Sequence, residues 1–190
     1  KNLMNDIIPA ILATSASDLN SKLTQIPKGV KFVHIDVLEE DFWMGKDNDI
    51  DFEAHLMVKE PSQIISKWTE RGAKRIIVHS LGGSTAKFRG QIEIGLGVEL
   101  DVPLEEIFPL VSEVDFIHLM SIAEMGGQGR PLNEAIFDRI KKLKEKFPHL
   151  PISVDGGISL DNFKQLQETG ADRLIVGSHF REIWNSLMKE

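Results

Sequence analysis

The sequence predicts an α/β fold of a single domain, a (β/α)8 TIM barrel with eight parallel strands inside and helices outside. Three observations predict it. Short β-branched apolar runs alternate with stretches of helical period. Most of these runs are continuously apolar, as suits parallel strands covered on both faces. The residues that carry chemistry sit at the ends of the runs, and closing a barrel brings strand ends to one mouth.

Taken in order, the strands are expected at Ile7–Leu12, Lys31–Val37, Ile50–Val58, Arg75–Ser80, Glu93–Leu100, Asp115–Ile122, Ile152–Asp155 and Arg173–Gly177. Between them, apolar stripes mark helices. Leu19, Leu23 and Ile26 mark the first, and Ile64, Ile65 and Trp68 another. Ile136, Ile140, Leu143 and Phe147 lie on one helix face. Leu160, Phe163 and Leu166 mark the next helix, with Ser159 and Asp161 as capping chemistry and Gly170 at its end. Ile183, Trp184 and Leu187 mark the last.

The chain also echoes itself. Glu70-Arg-Gly72-Ala73-Lys-Arg75-Ile-Ile77-Val78 is matched by Glu168-Thr-Gly170-Ala171-Asp-Arg173-Leu-Ile175-Val176. The echo relates the fourth strand to the eighth, half a turn of the barrel, and supports βα repetition.

Two crossovers look too short. Leu38–Asp49 has no helical stripe, and Gly82 to Gly90 has room for little more than one turn. A crossover with its helix needs at least about 10–12 residues. The expectation is therefore that segments near 44–50 and 81–92 are missing from this chain. The barrel domain over 1–190 would then be interrupted there.

The 190 residues carry a net charge of -7, with 42% hydrophobic and 27% charged residues. That is an ordinary globular composition, long enough for one sizeable core. No dense basic stripe suits nucleic acid, and the Lys141–Lys146 run reads as a solvated helix face. Cys is absent, which rules out disulfides and thiolate ligands and fits a cytoplasmic location. No apolar run approaches the roughly 20 residues that span a bilayer. Position 1 is Lys rather than Met, which suggests a trimmed or partly ordered start.

The chemistry concentrates in His34-Ile-Asp36, His55-Leu-Met57 and Val154-Asp155-Gly-Gly157. Residues two apart on a strand share a face, so His34 and Asp36 offer an N and an O donor together. With His55 and Asp155 they suggest a His2Asp2 site for one divalent ion, Zn, Fe, Mn or Co. Asp36 and Asp155 double as candidate proton carriers. His79 is expected near the mouth, His118 and His179 in structural roles, and His149 exposed. Gly126, Gly127 and Gln128, then Gly156 and Gly157, then Gly177 and Ser178 follow the last three strands. Their amides suit a phosphate, since these loops form the usual barrel phosphate site. Met57 and Met120 are candidate dry lining beside the substrate.

These strings resemble the ribulose-phosphate 3-epimerase family over nearly the whole chain. The resemblance runs from Ile8-Pro9-Ala10 through His34-Ile-Asp36-Val, His55-Leu-Met57-Val-Lys-Glu60-Pro61, Met120-Ser121-Ile and Gly126-Gly127-Gln128. It ends on Val154-Asp155-Gly-Gly-Ile158 and Val176-Gly-Ser178. It implies that His34, Asp36, His55 and Asp155 bind the metal and that Asp36 and Asp155 are the acid/base pair. It implies too that the glycines of the last three loops take the phosphate.

The chain departs from the family pattern in four places. The family usually has Ser where Ala10 stands, Met-Asp-Gly where Leu38-Glu39-Glu40 stand, and Asp where Glu53 stands. Its sixth loop reads Asn-Pro-Gly-Phe-Gly-Gly, where Ala123–Gly127 is one residue shorter. The expected reaction is epimerisation at C3 of D-ribulose 5-phosphate to D-xylulose 5-phosphate. D-allulose 6-phosphate as substrate and a noncatalytic sugar-phosphate-binding relative are the competing readings. The expected partners are a small sugar phosphate and further copies of the chain, with neither nucleic acid nor membrane.

Overall fold

The structure is a computed structural model that describes residues 6–39, 41–43, 45, 49–123 and 129–189. Eight parallel strands close into a barrel in chain order. They are β1 (Ile7–Leu12), β2 (Phe32–Val37), β3 (Asp51–Leu56), β4 (Arg75–Val78), β5 (Glu93–Val98), β6 (Phe116–Met120), β7 (Ile152–Asp155) and β8 (Arg173–Val176). β1 pairs with β8 through Ile7↔Leu174 and Ile8↔Ile175, which closes the ring and removes both edges. The helices are α1 (Ala16–Thr24), α2 (Ile65–Glu70), α3 (Gly83–Ala86), α4 (Leu104–Ile107), α5 (Ala135–Lys146), α6 (Phe163–Thr169) and α7 (Phe180–Leu187).

Strand residues alternate between two environments, because successive side chains point to opposite faces. Val33, Ile35, Val37, Phe52, Ala54, Leu56, Ile76 and Val78 face outward into one apolar shell. That shell is completed by helix residues such as Trp68, Ile136, Ile140, Leu143, Ile183 and Trp184. The alternate positions face the barrel axis and include all of His34, Glu53, His55, His118 and Ser153, each buried. Continuous burial on both faces explains the continuously apolar runs of the sequence.

The echo between β4 and β8 is structural. Lys74 N donates to Phe52 O at 2.8 Å, and Asp172 N donates to Ile152 O at 2.8 Å, so each strand enters in the same way. Arg75 stacks 4.1 Å over Phe32 and Arg173 stacks 4.9 Å over Phe116, on opposite sides of the barrel floor.

The outer layer is thin where the sequence is short. Residues 81–92 form the single-turn α3 and a turn at Gly90 before β5. The other suspected segment, 44–50, lies largely outside the described residues. The β2–β3 connection instead packs Trp43 against Phe52 and Trp68, with ring centroids 5.5 and 5.4 Å apart.

Two details differ from the sequence reading. Leu160 is not on the buried face of α6; it is 37% exposed and precedes the helix. Asn162, not Ser159 or Asp161, is the N-cap residue of α6, and its Oδ1 accepts from Ser159 N in a tight turn. The helical turn α4, continued as a 3-10 helix over Phe108–Glu113, carries too short a stripe to register as a helix in sequence.

Candidate active site

His34 and Asp36 leave β2 on the inner face, His55 leaves β3, and Asp155 ends β7. Their donor atoms converge at the C-terminal mouth. His34 Nε2 lies 3.1 Å from Asp36 Oδ1, 3.2 Å from His55 Nδ1 and 3.6 Å from Asp155 Oδ2. His55 Nδ1 lies 3.3 Å from Asp36 Oδ1 and 3.6 Å from Asp155 Oδ2. Donors held about 2.0–2.1 Å from one ion in a tetrahedral arrangement sit about 3.3 Å from each other. The five separations bracket that value.

Outer partners settle which ring nitrogens face inward. Glu53 Oε1 lies 2.7 Å from His34 Nδ1, and a carboxylate only accepts, so Nδ1 carries the proton. In the neutral ring this leaves the Nε2 lone pair aimed at the site. Glu53 is itself held by Arg75 Nε, which donates to Oε2 at 2.6 Å. His55 Nε2 meets His79 Nε2 at 2.7 Å, and His79 Nδ1 stands 3.0 Å from Glu99 Oε1. One proton lies between His55 Nε2 and His79 Nε2; where His55 carries it, His55 Nδ1 also presents a lone pair, while His79 Nδ1 makes no hydrogen bond among the described residues. Two imidazole lone pairs and two carboxylates then face one point, an arrangement that requires a positive charge. Outer carboxylates that orient ligand histidines are a general feature of metal sites.

The charged forms follow the same logic. Burial pushes His34 down, but its hydrogen bonds to Asp36 and Glu53 outweigh it and hold His34 well above its usual value. Burial pushes Asp36 up, and hydrogen bonds from His34 and His55 reverse this, leaving it well below the carboxylate range. Glu53 is likewise pushed up by burial and brought far below its usual value by His34 and Arg75. Burial raises Asp155 to about 6, and the Asp36 charge adds to this. Burial also lowers His55 to about 4. The site thus takes a positive charge either as a proton on His34 or as a bound cation. The donor set fits a divalent ion.

Above the cluster lies a small pocket of 50 Å³ lined by Ala10, Asp36, Met57, Met120, Arg130, Asp155, Gly156, Gly157 and Gly177, among others. Both methionines therefore border the same space as the two aspartates. Gly156 and Gly157 have φ of +115° and +67°. A Cβ on Gly157 would overlap the backbone of Pro131 and Leu132, so only glycine lets the sixth and seventh loops meet there. Ser178 falls outside this pocket, in an adjoining groove with Lys22 and Arg181. Gly126, Gly127 and Gln128 lie outside the described residues.

Four residues with site roles escape a reading of the sequence. The sequence points to a structural role for His118; instead its Nε2 lies 3.0 Å from Asp155 Oδ2, within the donor group. The donor atoms of His34, His55, His118 and Asp155 all lie within 4.8 Å of one another. A histidine inside a continuously apolar strand is the signal that could have revealed it. Glu53 and Ser121 support the site, Ser121 Oγ donating to Asp155 O at 2.8 Å. Arg130 contributes a cation at the pocket wall. His149 and His179 are exposed, the latter preceding α7 with Nδ1 3.3 Å from Glu182.

Fold and site together define a barrel enzyme with its polar centre at the C-terminal mouth. The model of the ribulose-phosphate 3-epimerase family matches residues 6–181. The ribulose-phosphate 3-epimerase of Mycoplasma pneumoniae is 32% identical over 171 residues, covering 80% of this chain and 78% of that protein. That of Schizosaccharomyces pombe is 25% identical over 195 residues, 90% of this chain and 85% of that protein. Among solved structures, KGPDC from Streptococcus mutans superposes with a TM-score of 0.68 at 14% identity. The superposition covers 96% of this chain and 95% of that one, a likeness of fold alone. The chain belongs to the ribulose-phosphate 3-epimerase family and is an isomerase, an epimerase of sugar phosphates.

Proposed function

We propose that the protein interconverts D-ribulose 5-phosphate and D-xylulose 5-phosphate by epimerisation at C3, with a divalent ion held by His34, Asp36, His55 and Asp155. The observation that carries this reading is the convergence of two buried-site aspartates on one glycine-lined pocket. A proton on carbon beside a ketone is weakly acidic, and inversion needs removal on one face and return on the other. Two carboxylates from β2 and β7, separated by β1 and β8 around the ring, suit that task better than one. When bound, the ion supplies positive charge beside the oxygens on which negative charge develops.

Asp36, held ionised, takes the C3 proton. Asp155, raised by burial and by its neighbour, gives a proton to the opposite face, and the roles exchange in the reverse direction. One C–H bond breaks and one forms, so the reaction is redox-neutral. Gly156, Gly157 and Gly177, with the sixth-loop Gly126, Gly127 and Gln128, follow the last three strands and suit the phosphate. Ser178 borders them. Met57 and Met120 exclude water from the reacting carbon.

The test is proton exchange in D2O, followed by NMR with metal-replete protein. Deuterium at C3 of substrate together with D-xylulose 5-phosphate is the expected result. Metal-replete, folded protein that exchanges no C3 proton would overturn the reading. D-allulose 6-phosphate is the second reading, favoured by the altered loops around the retained His and Asp set, with Ala10 on the pocket wall where the family usually has Ser. The ratio of kcat/KM for the two sugars separates them.

A further inference from the structure

The donor group contains one imidazole beyond the two that the family pattern uses. His118 is fully buried on the inner face of β6. Its ring stacks on His34 with centroids 5.4 Å apart and planes 8° apart, and meets His55 edge-on at 4.7 Å. Its Nε2 faces Asp155 Oδ2 at 3.0 Å, and its Nδ1 has no hydrogen-bond partner among the described residues. We propose that His118 is a metal ligand through Nε2, so that the ion is held by three imidazoles with Asp155 and Asp36. This rests on the reading of the cluster as a divalent-metal site.

Three observations point the same way. Asp155 Oδ2 is the atom shared by every close approach to the deep side of the cluster: His118 at 3.0 Å and His34 and His55 at 3.6 Å each. A cation bound beside that oxygen is therefore within reach of all three rings. A neutral imidazole and a carboxylate 3.0 Å apart must also share a proton or a cation, and a cation serves the other two lone pairs at once. Finally, Ser153 is the Cα partner of His118 on β7, and its buried Oγ has no partner. The two groups are not hydrogen-bonded to each other, so both His118 Nδ1 and Ser153 Oγ stand unpaired among the described residues on neighbouring strands.

Two consequences follow for the site. Five protein donors exceed the four of a closed tetrahedral zinc site and suit an ion tolerant of higher coordination, such as Fe2+, Co2+ or Mn2+. Three imidazoles and Asp155 also keep the ion in place when Asp36 is engaged with substrate.

Cadmium-113 is the probe, added to metal-free protein labelled with nitrogen-15 in its histidines, and one-bond coupling counts the ring nitrogens on the ion. Three coupled nitrogens are expected in the wild type and two in His118→Leu. Two coupled nitrogens in the cadmium-loaded wild type would overturn the assignment and leave His118 as a hydrogen-bond donor to Asp155. Failure of the wild type to bind cadmium, zinc or cobalt would defeat the metal reading itself, and this inference with it. Should His118→Leu not fold by circular dichroism, the wild-type count alone decides.

Discussion

Glu53 sets the proton on His34, and that single contact determines which nitrogen of the ring faces the substrate side. The carboxylate is fully buried between His34 and Arg75, so removing it strands two partners in a low-dielectric interior. Glu53→Ala is expected to cost about 3–5 kcal/mol, read from urea unfolding. A loss under about 1 kcal/mol would show that the pair is not compensated as described. The catalytic assignment is tested separately. Asp36→Asn and Asp155→Asn each remove one proton carrier, and C3 deuterium incorporation should fall by at least roughly 10²-fold in either. Retention of most exchange in either variant contradicts the two-base arrangement. Asp36, His55 and Asp155 are legible in sequence because each lies at or beside a strand end, and His34 because it stands two residues before Asp36 on the same strand face. His118 is not, because a histidine in mid-strand meets its partners only across the barrel.

Elements place these residues through close approaches that sequence does not announce. On β5, a Cβ at Gly97 would stand 2.5 Å from His79 Cε1 and Nε2. The missing side chain is what lets the His79 ring lie across the barrel and reach His55. Gly97→Ala should cost about 1–3 kcal/mol by overpacking and should also weaken metal affinity by roughly 10–100-fold through the displaced outer partner. Unchanged metal affinity in a destabilised variant would remove His79 from the site.

The β2–β3 connection is anchored differently. Asp41 bridges Lys67 and Arg71, whose guanidinium stacks 4.6 Å over Trp68. Burial raises the Asp41 carboxyl, and the Arg71 and Lys67 contacts outweigh it, holding it below its ordinary 3.8. A carboxylate with a depressed folded value stabilises fully above about 3.8 and loses that contribution as pH falls through its folded value. Asp41→Asn should therefore lower Tm at about pH 7 and lower it less at about pH 2. An equal loss at both would assign the effect to packing.

At the scale of the whole molecule, the barrel closes with two crossovers, 38–50 and 79–92, that are shorter than the other five. The S. pombe relative aligns over 195 positions against 90% of this 190-residue chain, about 171 residues, so it carries residues with no counterpart here. We propose that this surplus falls at the β2–β3 and β4–β5 crossovers, near 44–50 and 81–92. Aligning the relative's strands onto β2–β5 tests it, and a surplus lying elsewhere sinks it. Among the described residues, no helix is long and apolar enough to cross a membrane. The large apolar side chains most exposed are Leu38, Leu160 and Met188, from three separate parts of the chain. A homo-oligomer remains the expected assembly, and light scattering should return a mass above the 21.3 kDa of one chain. A monomer would refute that expectation.

What the sequence by itself determined is what depends on local period and strand-end position. The continuously apolar runs define parallel strands, the helical stripes define their cover, and Asp36, His55 and Asp155 fall near strand ends, with His34 on the same face as Asp36. Those properties survive in one dimension because alternation and helical period are short-range. Only the tertiary structure decided which residues join them. Closing β1 onto β8 and setting the register of Glu53, Arg75, Gly97, His118 and Ser153 across neighbouring strands brought chemistry from five strands to one axis. Their distances arise from ring closure, which no single segment encodes.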